Sequence, residues 1–265
     1  MELKIGELDN EKVLKTILKI LIFFFAWAVA GGLLINVDVN DPVINRFLWE
    51  LIPFLLVALD SLIFWLVEKR RVIIVGYHKT GINAAAGLVL GTIWVLVPIG
   101  GIYFTGKIAF SGPQQIAGLP VWIIALFLNA IMQELLCRGY IYRIIKRDHN
   151  IIAAMVVSIA LFTFMHGFES IFTVILIATM ALAMSIILEY TGSLVMPIMM
   201  HAVYNIIESI ILGKTQIAEY PQVFQVVIAE NAEARVEKLY NWLILICNVS
   251  LCIVFGILCT KKQKD

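Results

Sequence analysis

Three stretches of the sequence set acid, base and amide groups one helical turn apart in apolar surroundings. They are Gln133-Glu134-x-x-x-Arg138, Phe162-x-x-x-His166 and His201-x-x-x-Asn205. Residues four apart lie on one helix face, so Glu134 can pair with Arg138, and His201 projects together with Asn205. Opposite an arginine, Glu134 reads as ionised and acceptor-only. Such a set suits attack of water on an amide. A carboxylate and an imidazole can share the water as general bases. A His N–H and an Asn amide are suitable donors to the oxyanion that forms. Taken one at a time the signals are bland: a structural ion pair, and a satisfied core histidine at His166. Two histidines and a glutamate also suffice as zinc ligands. However, there is no HExxH and Arg138 engages Glu134, so the metal-free arrangement is favoured, with zinc as the alternative cofactor.

The remaining chemistry-bearing residues say less. Asp60 and Glu208 also lie in apolar runs. His78 and His149 fall in loops and read as solvated. Cys137 sits inside the first motif and stays open as a nucleophile. With Cys247, Cys252 and Cys259 it forms no CxxC pair, and all four read as small buried hydrophobes.

The elements that position these groups follow from composition. Of 265 residues, 61% are hydrophobic and 15% charged, with a mean hydropathy of +0.93. Soluble domains run at about 45–50% apolar and about 25% charged. This balance excludes a soluble enzyme, a disordered chain and a disulfide scaffold. A net charge of +1 gives no sign of a nucleic-acid partner. The expected fold is all-α: a polytopic membrane protein, a bundle of about eight transmembrane helices forming a single membrane-embedded domain over 1–265. The apolar runs are 16–36, 45–67, 82–105, 120–143, 151–167, 171–189, 193–212 and 240–260, the fifth the shortest and weakest. The first is read as a span rather than a cleaved leader.

Basic residues set the expected orientation. Lys4, Lys12, Lys15, Lys19, Lys69, Arg70, Arg71, Lys79, Arg143, Lys146, Arg147, Lys261, Lys262 and Lys264 fall on one side. Arg46, Lys107, Lys214, Arg235 and Lys238 fall on the other, and Arg138 lies within a helix. Both termini are therefore expected in the cytoplasm. The long opposite loop, 213–239, is read as a short interfacial helix around Tyr220–Phe224 and Glu230–Lys238 or, equally, as a solvated loop. Gly87-x-x-x-Gly91 permits close helix contact and is given no functional weight.

At the three motifs the sequence resembles the CPBP intramembrane protease family, which includes type II CAAX prenyl endopeptidases and the bacteriocin-processing and immunity proteins called Abi. The family pattern is EExxxR, FxxxH and HxxxN within eight membrane helices, and the likeness covers about 120–210. Glu134-Leu-Leu-Cys-Arg-Gly-Tyr-Ile-Tyr142 is especially close to it. The resemblance implies that Glu134 and Arg138 organise the site, that His166 helps activate water, and that His201 and Asn205 form the oxyanion hole. It implies that position 133 is the water-activating glutamate and that the mechanism needs no metal.

Gln133 departs from that pattern where it matters most, because a glutamine amide takes no proton from water. Three readings follow: an engineered Glu→Gln change that traps substrate, a natural pseudoprotease, or an active variant with Glu134 as base. Because every other motif residue is kept, the first is favoured. The expected function is intramembrane endopeptidase on a peptide or membrane-protein substrate, in an inactive form. The alternatives are a non-catalytic bacteriocin-immunity or signalling scaffold, and a transporter using Asp60, Glu134 and Arg138, against which the absence of inverted repeats argues. An Ile- and Lys-rich composition fits a bacterial plasma membrane.

Overall fold

Hydrocarbon offers backbone N–H and C=O groups no partners, so each apolar run closes its own hydrogen bonds as a helix. The computed structural model describes residues 10–34, 39–113, 117–213 and 223–262. The helices are α1 (Asn10–Leu34), α2 (Pro42–Val67), α3 (Thr80–Tyr103), α4 (Leu119–Glu134), α5 (Tyr142–Asp148), α6 (Ile151–Met165), α7 (Ile171–Thr191), α8 (Val195–Leu212) and α9 (Glu233–Lys262). A π-helical segment, Leu135–Ile141, joins α4 to α5, and the three form one rod of 30 residues. Among the described residues seven helices are long and apolar enough to cross a membrane; α6, at 15 residues, is the shorter eighth. The chain is an all-α, multi-pass integral membrane protein.

Local chemistry starts and stops these helices. Asp41 accepts from the N–H groups of Val43 and Ile44 at 2.8 and 3.1 Å, Asn150 from Ala153 at 2.8 Å, and Ser170 from Thr173 at 3.1 Å. These are N-caps that satisfy donors the first helical turn leaves unpaired. Left-handed Gly192 ends α7 and Gly213 ends α8.

Two expectations need correction. Arg46, counted with the loop cations, lies in the second turn of α2, buried and paired with Glu50 at 2.7 Å. Among the described residues the short interfacial helix does not form. Phe224–Ile228 is a strand, β2, paired antiparallel with β1 (Ile108–Pro113), and Glu233–Lys238 already belongs to α9. Tyr220, Pro221 and Gln222 lie outside the described residues, as do Lys4, Lys214 and Lys264.

The described members of the large basic set gather at one end of the bundle. Glu68, just past α2, accepts from Lys19 at 2.5 Å, from Arg147 at 2.9 Å and from the Tyr140 hydroxyl at 3.2 Å. Burial alone would raise its carboxyl, but the Lys19 and Arg147 bonds outweigh burial and hold it below the usual carboxylate range. Glu189, near the end of α7, takes Lys146 at 2.5 Å and Tyr142 at 2.9 Å. These pairs bind α1, α2, α5 and α7 together where lipid gives way to water.

Inside the membrane, helices associate by close packing and hydrogen bonds rather than by hydrophobic drive. Gly87 and Gly91 lie flat against α8. A Cβ at Gly87 would stand 2.7 Å from the Met196 carbonyl oxygen, and one at Gly91 would stand 2.8 Å from that of Met200. Two polar clamps reinforce the bundle: Trp94 Nε1–H donates to Asn248 on α9 at 2.9 Å, and Trp122 Nε1–H to Ser209 on α8 at 2.9 Å. Gly91→Val should therefore lower stability in detergent by about 1–3 kcal/mol, the usual cost of overpacking. Gly81→Val, which meets nothing within 4 Å, should change it little. Thermal unfolding of the two variants side by side checks this.

Candidate active site

The rod α4–π–α5 runs through the bundle interior. All seven residues of its π segment are buried, as are Gln133 and Glu134 before it. In a π-helix the backbone bonds run i→i+5 instead of i→i+4, an arrangement found mostly as single turns at functional sites. Here it carries Arg138.

Glu134 is fully buried, and its Oε1 accepts two bonds: from Arg138 Nη1 at 2.8 Å and from His201 Nδ1 at 3.1 Å. A carboxylate only accepts, so His201 Nδ1 carries a proton. The Arg138 guanidinium is used on several sides. It donates from Nε to Ser185 at 3.3 Å and from Nη2 to the Ala181 carbonyl at 3.1 Å, and it lies 4.7 Å from the centre of the Phe162 ring. One buried ion pair thus joins the rod to α6, α7 and α8. Glu134 Oε2 and Gln133 Oε1 are both buried with no hydrogen-bond partner among the described residues. Buried acceptors without donors suit a ligand that brings N–H or O–H groups, such as a water or a peptide.

Phe162 organises the histidines. Its ring centre lies 4.4 Å from that of His166 and 5.7 Å from that of His201, so both imidazoles border one phenyl ring. His166 caps α6, with Nδ1 2.7 Å from the Phe162 carbonyl oxygen. A carbonyl only accepts, so Nδ1 bears the proton and the Nε2 lone pair is left free.

The structure therefore brings Glu134, Arg138, His166 and His201 together around Phe162, with Gln133 next to Glu134. Asn205 is reached differently. Its Nδ2 donates to Asn129 Oδ1 at 3.4 Å, and Asn129 Nδ2 donates to Glu50 Oε2 at 2.8 Å. Glu50 and Asn129 were missed from sequence. An Asn in an apolar helix is unremarkable, and Glu50 was obscured by the reading of Arg46 as a loop residue. The signal available was Arg46-x-x-x-Glu50, a charge pair at helical spacing inside an apolar run. Asp60 and Glu208 stand apart among the described contacts. One Asp60 oxygen is buried without a hydrogen-bond partner, and Glu208 Oε1 accepts from Tyr204 at 3.2 Å and Tyr240 at 2.7 Å. Cys137 is buried, its Sγ 3.7 Å from the Met165 sulfur.

A metal would find few ligands. Glu134 Oε1 is spent on Arg138 and His201, and among the described residues no group of three or more His, Cys, Asp and Glu could hold an ion. Catalytic zinc takes three protein ligands, so the donor set does not fit it.

With this geometry in place, comparison with known proteins is informative. Residues 115–207 are similar to one known family. They match the family model of type II CAAX prenyl endopeptidase Rce1-like proteins over a stretch that holds all three motifs. The match is consistent with the CPBP intramembrane proteases that the motifs resemble, and it supports a protease role. No curated protein and no solved structure matches the chain.

The ion pair makes a sharp demand on stability. Breaking a buried pair from one side leaves a charge uncompensated, at a cost of about 3–5 kcal/mol. Arg138→Met should lose about that much, and Glu134→Gln combined with Arg138→Met should recover most of it. Denaturant unfolding in mixed micelles distinguishes the two.

Proposed function

We propose that the chain is an intramembrane endopeptidase scaffold of CAAX type, with its reaction centre at position 133, Glu134, Arg138, His166, His201 and Asn205. As it stands, with Gln133, it binds a peptide or membrane-protein segment without cutting it. The observation that carries this reading is the double engagement of Glu134. A carboxylate offset by Arg138 and bonded to His201 is a poor proton acceptor. The base must then come from the neighbouring position, and there the chain has an amide.

The surrounding groups suit the remaining steps. His166 presents Nε2 as a lone pair, suited to sharing a water with a carboxylate at 133 and later to passing a proton to the leaving amine. An Asn205 N–H supplies one oxyanion donor. His201 supplies a second only from Nε2–H, since Nδ1 is bonded to Glu134; the ring must then carry both protons. The donor set favours a mechanism without metal. Gln133 also favours a second reading, a pseudoprotease that captures peptides as an immunity protein or signalling scaffold. Transport is disfavoured, because Glu134 and Arg138 are committed to each other.

Gln133→Glu separates the two readings. In detergent it should cleave a peptide substrate at least about 10²–10⁴-fold faster than the chain with Gln133, the usual worth of a general base. Activity should survive a zinc chelator. Adding His201→Ala should remove about 10²–10³ of the rate, as loss of one oxyanion donor does. Equal rates with either residue at 133, abolished in both by Glu134→Gln, would make Glu134 the base.

We also infer that both termini face the cytoplasm. The basic asymmetry of the sequence supports this, as does the gathering of Lys19, Lys146, Arg147 and Lys262 at one end of the bundle. Cysteines introduced as Ile5→Cys and Gln263→Cys should resist an impermeant thiol reagent on intact cells and react after lysis. Reaction of both before lysis would reverse the topology.

A further inference from the structure

Asn205 is held from a helix that carries none of the three motifs. On α2, Arg46 and Glu50 form an ion pair at 2.7 Å with both side chains buried. Arg46 takes Glu50 Oε1, and Glu50 Oε2 accepts from Asn129 Nδ2 on α4 at 2.8 Å. Asn129 Oδ1 in turn accepts from Asn205 Nδ2 on α8 at 3.4 Å. Three helices are joined by one line of hydrogen bonds, buried at Glu50 and Asn129 and part-buried at Asn205.

The line has a direction, and one residue sets it. A side-chain amide is two-faced, with a donor end and an acceptor end, and rotation by half a turn exchanges them. A carboxylate has no such ambiguity, because it only accepts. Glu50 therefore forces the NH₂ end of Asn129 toward itself and the oxygen end toward α8. That oxygen forces the NH₂ end of Asn205 toward Asn129, and the second hydrogen on Asn205 Nδ2 is then free to donate. Without the carboxylate, Asn129 can turn its NH₂ toward Asn205. Asn205 then has to answer with its oxygen, which would repel an oxyanion instead of stabilising it. Arg46, always charged and 2.7 Å from Glu50 Oε1, favours the anion at position 50.

We propose that Glu50 is a positioning residue: held by Arg46, its carboxylate fixes the amide polarity of Asn129 and thereby presents the N–H of Asn205 to the oxygen of the reacting peptide. The proposal rests on the reading of Asn205 as an oxyanion donor. It explains why a buried charge pair is maintained on a helix remote in sequence from the motifs.

Two measurements on the full chain in detergent test it, one independent of activity. With ¹⁵N-labelled asparagine, the side-chain amide resonances of Asn129 and Asn205 are assigned by Asn129→Ala and Asn205→Ala. Glu50→Ala should move both resonances, whereas Asp60→Asn, on the same helix, should move neither. An Asn205 resonance unchanged by Glu50→Ala overturns the relay. In the Gln133→Glu background, Glu50→Ala should lower kcat by about 10–100-fold, the usual effect of losing an outer hydrogen-bond partner, and leave KM within about twofold. On top of Asn205→Ala it should cost nothing further; additive losses, or a loss confined to KM, overturn the proposal. If Glu50→Ala does not fold, Arg46→Met with Glu50→Gln removes both charges and retains a side chain able to turn either way. That variant should show two exchanging Asn205 signals and an intermediate kcat; a single unshifted signal with full kcat overturns the proposal. If Gln133→Glu cleaves nothing, the protease reading fails, and the resonances alone decide whether Glu50 orients Asn205.

Discussion

A fully buried carboxylate inside a membrane bundle must be matched by cations and donors, and in this protein nearly everything near the centre follows from matching Glu134. An unpaired charge in that position costs several kcal/mol, a large share of the net stability of a folded chain. Arg138 supplies the countercharge from the same rod, and because a guanidinium has five N–H groups it can reach Ser185 and Ala181 as well. His201 supplies the second donor from α8. One carboxylate oxygen thereby fixes the relative placement of three elements, and the other is buried with no hydrogen-bond partner among the described residues.

Such a centre needs helices that approach closely without a hydrophobic drive to bring them together. The small residues of α3 serve this purpose for α8. Gly87 and Gly91 let the Met196–Met200 backbone come within contact of α3, and the next residue along α8 is His201. A motif common in membrane helices thus has a specific local effect, which is to set how deeply the histidine-bearing helix seats.

Much of this was legible in the sequence. Span lengths are dictated by bilayer thickness, and the i,i+4 spacings of Glu134 with Arg138 and His201 with Asn205 report helix faces directly. Contacts between helices are another matter. Glu134 meets His201 across 67 positions of sequence, and no local pattern announces the pairing. Arg46 sits at the boundary of its apolar run, where a cation reads as solvated, so the buried pair with Glu50 was hidden. The β1–β2 pairing was overlooked because its strands are short, far apart in sequence and flank spans that dominate the hydropathy. The π segment leaves no trace in composition, because it concerns which carbonyl each N–H chooses.

That segment has a consequence for how the chain tolerates change. A turn closed i→i+5 accommodates one residue more than its α-helical counterpart. Removal of one residue between 135 and 141 would let the turn close as a regular α-helix with the flanking helices still in phase, whereas one residue more would rotate them by roughly 100° against each other. That rotation would swing Tyr142 and Lys146 away from Glu189. Residues on either side of the segment therefore keep their facing through a shortening and lose it through a lengthening. Length, usually the most negotiable property of a polypeptide, is negotiable here in one direction only.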